Sequence, residues 1–176
     1  MSRLHFEDEA ELFAYRAWQT LRLEPPADLL KVASRLRILV EEREFCPEVD
    51  GVYLRLPGAP PVIAVNSSYL KPPERRRFTL AHEIGHHLLT RRICRGQRLF
   101  FLDTSKTRPT PLERACDRFA ALLLMPEDLV RRYYDELAAN EGKRVSIMAC
   151  RFGVSAWAMR RRLRELGLQT RPRRPA

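Results

Sequence analysis

Residues 82–86 read His-Glu-Ile-Gly-His and combine two histidines with a carboxylate at a spacing suited to metal chemistry. Side chains four positions apart lie on one face of an α-helix, so both imidazoles can reach the same metal ion. Glu83 lies beside them and can take a proton from water held at that metal. The segment therefore predicts a metal site at His82 and His86, with Glu83 as the general base of a hydrolase.

The alternative interpretation is that both histidines are ordinary polar groups on a helix. Chance alone gives this pattern in roughly 1% of chains of such composition, so the five residues do not decide the matter by themselves. Phe78, Leu80 and Leu88 around the motif indicate a buried helix. Buried imidazoles need polar partners, and this favours metal ligation.

The third metal ligand is expected on the next predicted helix. A catalytic zinc site takes three protein ligands and keeps one position open. Glu113 and Asp117 are four positions apart and share a helix face. We assign Glu113 to the metal and Asp117 to a hydrogen bond that orients a histidine, and the reverse assignment stays open. Cys116 is a softer alternative ligand, but it lies off that face and is expected to pack in the core.

Other polar side chains have less defined predictions. Peptide hydrolysis needs a donor to the developing oxyanion, and Tyr69, Tyr133 and Tyr134 are three candidates that the sequence does not separate. His87 points away from His86 on a helix and is expected to be a neighbouring polar residue, with a contact to the substrate or the oxyanion as the alternative. Two imidazoles and a carboxylate suit Zn²⁺, with Mn²⁺ as an alternative.

The segments that carry this chemistry belong to an α+β chain. Apolar residues recur at helical spacing in five segments, namely 6–23, 28 to 36 or 39, 72–89, 111–125 and 127–139. Three β-like stretches separated by Pro, Gly and Asp turns predict a small three-stranded sheet, at 38–40, 51–56 and 61–65. Residues 91–111 indicate a loop with one short apolar piece at 99–102.

Residues 77–86 and 113–126, with the strand at 62–66, resemble the ImmA/IrrE family of bacterial metallopeptidases, over about residues 25–168. The resemblance implies a zincin-like core with zinc held by two histidines and a glutamate, and a zinc-dependent, site-specific endopeptidase of the gluzincin type. It further implies an XRE-type helix-turn-helix repressor as substrate, cleaved to release stress-response or mobile-element genes. We expect a short form without the C-terminal sensor domain of the radiation-response members.

The C-terminal segment, about 145–166, has the pattern of a helix-turn-helix. Ser146 is the expected N-cap of a helix that runs through Phe152, Gly153 lies at the turn, Ser155 is the second N-cap, and Gly167 ends the unit. The alternative is a helical hairpin that packs on the peptidase core or binds a partner protein, and we favour it slightly.

Four arginines on the second helix of this unit, Arg160, Arg161, Arg162 and Arg164, are candidate contacts for substrate or nucleic acid. Arg162 argues against DNA binding, because it stands where a DNA-binding helix-turn-helix buries an aliphatic residue. From residue 143 onward the chain has ten basic residues and one acidic residue, which accounts for +9 of its net charge of +10. Such a segment favours an acidic partner, including nucleic acid, over a merely solvated tail by a narrow margin.

The bulk composition excludes several classes of protein. With 45% hydrophobic and 31% charged residues, the 176-residue chain is neither disordered nor fibrous. It has no apolar run of bilayer length, no apolar N-terminal signal and no Cys-x-x-Cys pair, so we expect a cytoplasmic protein with free thiols.

We divide the chain into a peptidase domain at 1–140, a helical segment at 141–170 and a basic disordered tail at 171–176. The alternative function is a metal-stabilised transcription regulator that binds DNA or a repressor without proteolysis.

Overall fold

Helices and strands occupy most of the chain in the computed structural model, which describes residues 6–104, 110–140 and 142–168. In those ranges seven α-helices, four β-strands and a single 3₁₀ turn at Ala138–Asn140 follow one another. The elements are α1 (Phe6–Leu21), α2 (Leu29–Arg35), β1 (Leu39–Arg43), β2 (Val49–Arg55), β3 (Val62–Asn66), α3 (Pro73–Thr90), β4 (Leu99–Thr104), α4 (Pro111–Leu124), α5 (Glu127–Glu136), α6 (Arg144–Phe152) and α7 (Ala156–Glu165). The mixed α+β class is as predicted.

The sheet has four strands in the order β1-β3-β2-β4, so the prediction of three strands was wrong. β1 runs parallel to β3, and the other two pairs are antiparallel. The strand missing from the prediction is β4, in the segment assigned to a loop. Its apolar residues, 99–102, form a continuous run without the alternation that marks a half-buried strand. Its pairing partner, β2, lies more than 40 residues earlier in the chain.

The predicted helices α1 to α5 lie within a few residues of their expected bounds. The side chain of Asp28 accepts a hydrogen bond of 2.9 Å from the backbone N–H of Lys31 and caps α2 as predicted. Thr110 caps α4 in the same way, and Pro111 occupies the first helical turn, where its missing N–H has no cost. None of the helices in the described ranges is long and apolar enough to cross a bilayer.

Helix α3 lies between the sheet and α4 and forms the centre of the core. Gly85 permits the close approach of the two helices, because a Cβ atom there would lie 3.2 Å from the Cα of Cys116 and from Phe119. Helix α1 covers the other side of α4, where Trp18 Nε1 donates a 3.0 Å hydrogen bond to the carbonyl of Leu123. The two motif segments, on α3 and α4, are thus packed directly against each other.

Helices α6 and α7 form a hairpin whose buried side chains join the same cluster as the rest of the core. Gly153 adopts the left-handed conformation at the turn, and Ser155 caps α7, both as predicted. The prediction for Ser146 was wrong: α6 begins at Arg144, and the Ser146 hydroxyl donates to the carbonyl of Lys143. Residues 171–176, predicted to be a disordered tail, lie outside the described residues.

Arg77 ties this hairpin to the N-terminal part of the chain. Its guanidinium donates to the carbonyl of Gly153 at 3.2 Å and to that of Ala27 at 2.9 Å. Since Arg77 lies on the helix that carries the motif, the position of α3 is coupled to that of the hairpin. This packing agrees with the interpretation of the C-terminal unit as a hairpin on the peptidase core.

Candidate metal centre

Three of the predicted ligand atoms lie together between α3 and α4. The Nε2 atoms of His82 and His86 are 3.1 Å apart. Glu113, in the first turn of α4, places Oε2 at 3.0 Å from Nε2 of His82 and 3.4 Å from Nε2 of His86. The one-turn spacing on α3 and the packing of α4 against it bring these atoms together.

These separations fit a zinc ion bound by all three residues. Zinc in proteins is tetrahedral with bonds of about 2.0–2.1 Å to nitrogen and oxygen, so its ligand atoms lie about 3.3–3.4 Å from one another. The three measured separations are close to that distance or a few tenths of an ångström shorter. The donor set, two imidazoles and one carboxylate, also matches that of catalytic zinc sites.

Asp117 lies on the far side of the His82 ring. Its Oδ1 is 2.9 Å from Nδ1 of His82, so it can accept the Nδ1–H hydrogen bond and leave the Nε2 lone pair free. Glu113 contacts Nε2 instead. Glu113 thus shares the Nε2 side of the His82 ring with His86, whereas Asp117 lies on the Nδ1 side.

The carboxylates around the donor set favour positive charge there, either a proton on His82 or a bound cation. Burial lowers the pKa of His82, but hydrogen bonds to Asp117 and Glu113 outweigh it and raise that pKa to about 10. Hydrogen bonds from His82 and His86 hold the pKa of Glu113 well below its usual range, whereas burial lowers the pKa of His86. A proton therefore occupies His82 at neutral pH in the metal-free protein, and a metal ion bound at Nε2 would have to displace it.

Glu83 is fully buried beside the histidines, and neither of its carboxylate oxygens has a hydrogen-bond partner among the described residues. Burial raises its pKa to about 8. Gly51 on β2 makes room for it, because a Cβ atom there would lie 3.1 Å from Oε1 of Glu83. A buried, unpartnered carboxylate is costly, and its presence is typical of a site with a chemical role.

Strand β4 contributes two residues that the sequence analysis missed. The ring of Phe101 stacks on that of His86, with centroids 4.2 Å apart and an interplanar angle of 11°. Asp103 pairs in register with Gly51, next to Glu83, and burial raises its pKa. Recognition of residues 99–104 as a strand would have placed both side chains on the face toward α3.

Cys116 offers a competing donor set. Its sulfur and one nitrogen each of His82 and His86 lie within 4.8 Å of one another, in a buried cluster that could hold a metal. Glu113 places an oxygen within 3.4 Å of both Nε2 atoms, and its lowered pKa keeps the carboxylate ionised. Burial raises the pKa of the Cys116 thiol well above its usual value, which opposes the thiolate that metals bind.

His87 lies apart from the three donor atoms, as expected. Its Nδ1 is 3.0 Å from the hydroxyl of Tyr53, and burial lowers its pKa to about 4, so the ring is neutral. Of the three candidate oxyanion donors, Tyr69 is exposed in the loop before α3. Tyr133 packs on Phe152 of α6, and Tyr134 lies beneath the guanidinium of Arg144.

The four arginines of α7 divide into two groups. Arg160, Arg161 and Arg164 are exposed. The prediction for Arg162 as a contact for substrate or nucleic acid was wrong, because it is only 2% exposed and its Nε donates a 3.1 Å hydrogen bond to the carbonyl of Met125. It faces the core, at the position where the pattern expects an aliphatic residue, and ties α7 to the end of α4.

Residues 33–164 match the family described as the IrrE N-terminal-like domain, Peptidase_M78, and the chain belongs to this metallopeptidase family. The chain is also similar to the radiation response metalloprotease IrrE of Deinococcus radiodurans, with 34% identity over 95 residues. That match covers 54% of this chain and 28% of the relative. The resemblance seen in the sequence is thereby confirmed at the level of the family.

Proposed function

We propose that the protein is a zinc-dependent, site-specific endopeptidase of the gluzincin type, built on a zincin-like core. The observation that carries this proposal is the buried carboxylate of Glu83, without a hydrogen-bond partner among the described residues, on the same helix as two histidines whose Nε2 atoms meet Glu113. A purely structural metal site has no need of such a carboxylate. Mn²⁺ is the alternative metal for the same ligands.

Each residue of the site has a separate part in this mechanism. His82, His86 and Glu113 would hold the zinc ion, which when bound polarises the scissile carbonyl and makes water more acidic. Asp117 holds the proton at Nδ1 of His82 and fixes the ring. Glu83 accepts the proton of the attacking water and returns it to the leaving amine, and its burial beside the histidines places the carboxylate where that water would lie.

We further propose an XRE-type helix-turn-helix repressor as the substrate, cleaved in the cytoplasm to release stress-response or mobile-element genes. The support is the resemblance to the ImmA/IrrE family, together with the relative's name as a radiation response metalloprotease. A basic surface on α7 suits an acidic face of such a partner.

A second candidate function is a metal-stabilised regulator that binds DNA or a repressor without cutting it. The observation in its favour is the exposed group Arg160, Arg161 and Arg164 on the second helix of a helix-turn-helix-like hairpin. The burial of Arg162 in the contact between α7 and α4 counts against DNA binding, because fewer basic side chains on α7 remain to contact phosphates.

A cleavage assay separates the two candidates. The zinc-loaded protein is incubated with a candidate XRE-type repressor, and fragments are identified by mass spectrometry. We expect one cut, abolished by a chelator and by His86→Ala, and retained by the matched control His87→Gln, whose ring contacts Tyr53 instead. An intact repressor that nevertheless binds the zinc-loaded protein would favour the regulator.

A further inference from the structure

The two histidines of the metal centre are held in different ways. Nδ1 of His82 lies 2.9 Å from the carboxylate of Asp117, which can accept its hydrogen bond and fix the ring. Nδ1 of His86 is buried and has no hydrogen-bond partner in the part of the chain that the structure describes. The torsion that turns an aromatic ring about its Cβ–Cγ bond has broad minima, so the orientation of the His86 ring depends on its packing.

Phe101 on β4 makes the packing contact that restrains this ring. Its own ring lies nearly parallel to that of His86, with centroids 4.2 Å apart. Because side chains alternate along a strand, Phe101 faces α3, whereas its neighbours Phe100 and Leu102 point away and are 64% and 47% exposed. Rotation of the His86 ring about its Cβ–Cγ bond would drive the edge of the imidazole into the phenyl face. The stack therefore favours one orientation of His86.

The ring of Phe101 is itself fixed by the sheet. Phe101 pairs across strands with Tyr53 on β2, and the two rings stack with centroids 6.1 Å apart and an interplanar angle of 27°. Tyr53 is fully buried, and β2 packs against α3. Strand pairing and a buried neighbour thus hold the phenyl ring in place, so it can act as a rigid support for His86.

We propose that Phe101 is a positioning residue for the metal ligand His86, in the way that Asp117 is for His82. The proposal rests on the proposed function, because it takes Nε2 of His86 as a metal ligand. With its ring held flat, His86 directs Nε2 toward the space that it shares with Nε2 of His82 at 3.1 Å and Oε2 of Glu113 at 3.4 Å. A phenyl ring adds no charge, so Phe101 acts on the orientation of the ligand and not on its basicity.

The zinc affinity of three variants of the full chain tests this role. Phe101→Leu removes the flat ring but keeps an apolar side chain, whereas Phe101→Tyr keeps the ring. Competition with a chromophoric chelator should show about tenfold weaker zinc binding for Phe101→Leu, at the lower end of the range for residues that orient a metal ligand, and a change of less than about twofold for Phe101→Tyr. Phe100→Leu, on the opposite side of the same strand, is the matched control and keeps the wild-type affinity.

The visible spectrum of the Co²⁺-loaded proteins distinguishes positioning from a contribution to stability alone. The d–d bands of Co²⁺ report the geometry of its ligands, so we expect an altered spectrum for Phe101→Leu and the wild-type spectrum for the other two variants. Circular dichroism checks folding, and Phe101→Met replaces Phe101→Leu if the latter is unfolded. A folded variant without the ring that keeps the wild-type affinity or spectrum, or a Phe101→Tyr that loses as much affinity, would overturn the proposal. Neither readout uses cleavage, so failure of the proposed peptidase activity is detected separately.

Discussion

Gly51→Ala is expected to destabilise the protein through one identifiable contact. The added Cβ atom would lie 2.5 Å from Cγ2 of Thr79, which is far inside van der Waals contact, and 3.1 Å from Oε1 of Glu83. Gly51 is not among the residues with positive φ, so alanine is compatible with its backbone. The whole effect is therefore steric. Overpacking of this kind costs about 1–3 kcal/mol of folding free energy, which corresponds to a decrease in Tm of roughly 2–12 °C.

Thr79→Ser removes the methyl group that the new Cβ atom would meet, so the two substitutions are expected to compensate. Thr79→Ser alone loses one buried methyl group and costs about 0.5–1.5 kcal/mol. In the double variant the clash is absent, and the double-mutant cycle should show a coupling free energy of about 1–2 kcal/mol. The contact with Glu83 remains, so activity recovers less than stability does.

Urea unfolding of the wild type, both single variants and the double variant measures this coupling. The controls are an unchanged m-value, which shows that the same surface is exposed on unfolding, and equal zinc content. Free-energy changes that are additive within about 0.3–0.5 kcal/mol would refute the steric argument.

Three other predictions concern the histidine and carboxylate residues of the metal centre and the contact between α7 and α4. Asp117→Asn should weaken zinc binding about 10–100-fold, because the ring of His82 loses its charged partner. Competition with a chromophoric chelator measures the affinity, and an unchanged value would exclude Asp117 as the residue that orients His82. In the metal-free protein the folded state keeps a proton on Glu83, with its pKa raised from 4.5 to about 8, and on His82, with its pKa raised from 6.5 to about 10, after the unfolded chain has released them. The contribution of Glu83 to the free energy of unfolding should therefore be lost between about pH 4.5 and 8, and that of His82 between about pH 6.5 and 10. Glu83→Gln should flatten the lower part of that profile, and a profile unaffected by it would contradict the raised pKa. Arg162→Ala should lower the free energy of unfolding, measured in urea, by about 1–3 kcal/mol, because the carbonyl of Met125 loses its donor. The exposed Arg164→Ala should lower it by less than about 0.5 kcal/mol.

The parts of the fold that the sequence predicted depend on local periodicity. His82 and His86, or Glu113 and Asp117, share a helix face because of the geometry of a single turn, and neither needs knowledge of the rest of the chain. Asp28 and Ser155 are caps for the same reason. The contact between α3 and α4 was predicted because a metal held by His82 and His86 needs a third protein ligand, and the next helix offered Glu113.

The features that the sequence did not predict depend on contacts between distant segments. Residues 99–104 form a strand because β2 offers them a partner, and only this pairing brings Phe101 to His86 and Asp103 to Gly51. Arg162 belongs to a run of basic residues that indicates a solvated face, yet the packing of α7 turns it toward the carbonyl of Met125. The residues of β4 carry no such signal by themselves, whereas the helix-turn-helix pattern marks position 162 as one that is normally buried.

The kinetic effect of Glu83→Gln, measured together with metal content, tests the proposed peptidase mechanism most directly. Glutamine keeps the size of the side chain but cannot accept the proton of the attacking water. We predict one zinc ion per chain in both proteins and a decrease in kcat of at least about 10³-fold on the repressor, with the exposed control Glu24→Gln unchanged. A variant that keeps its zinc and cuts within about tenfold of the wild-type rate would contradict the role of Glu83 as the general base.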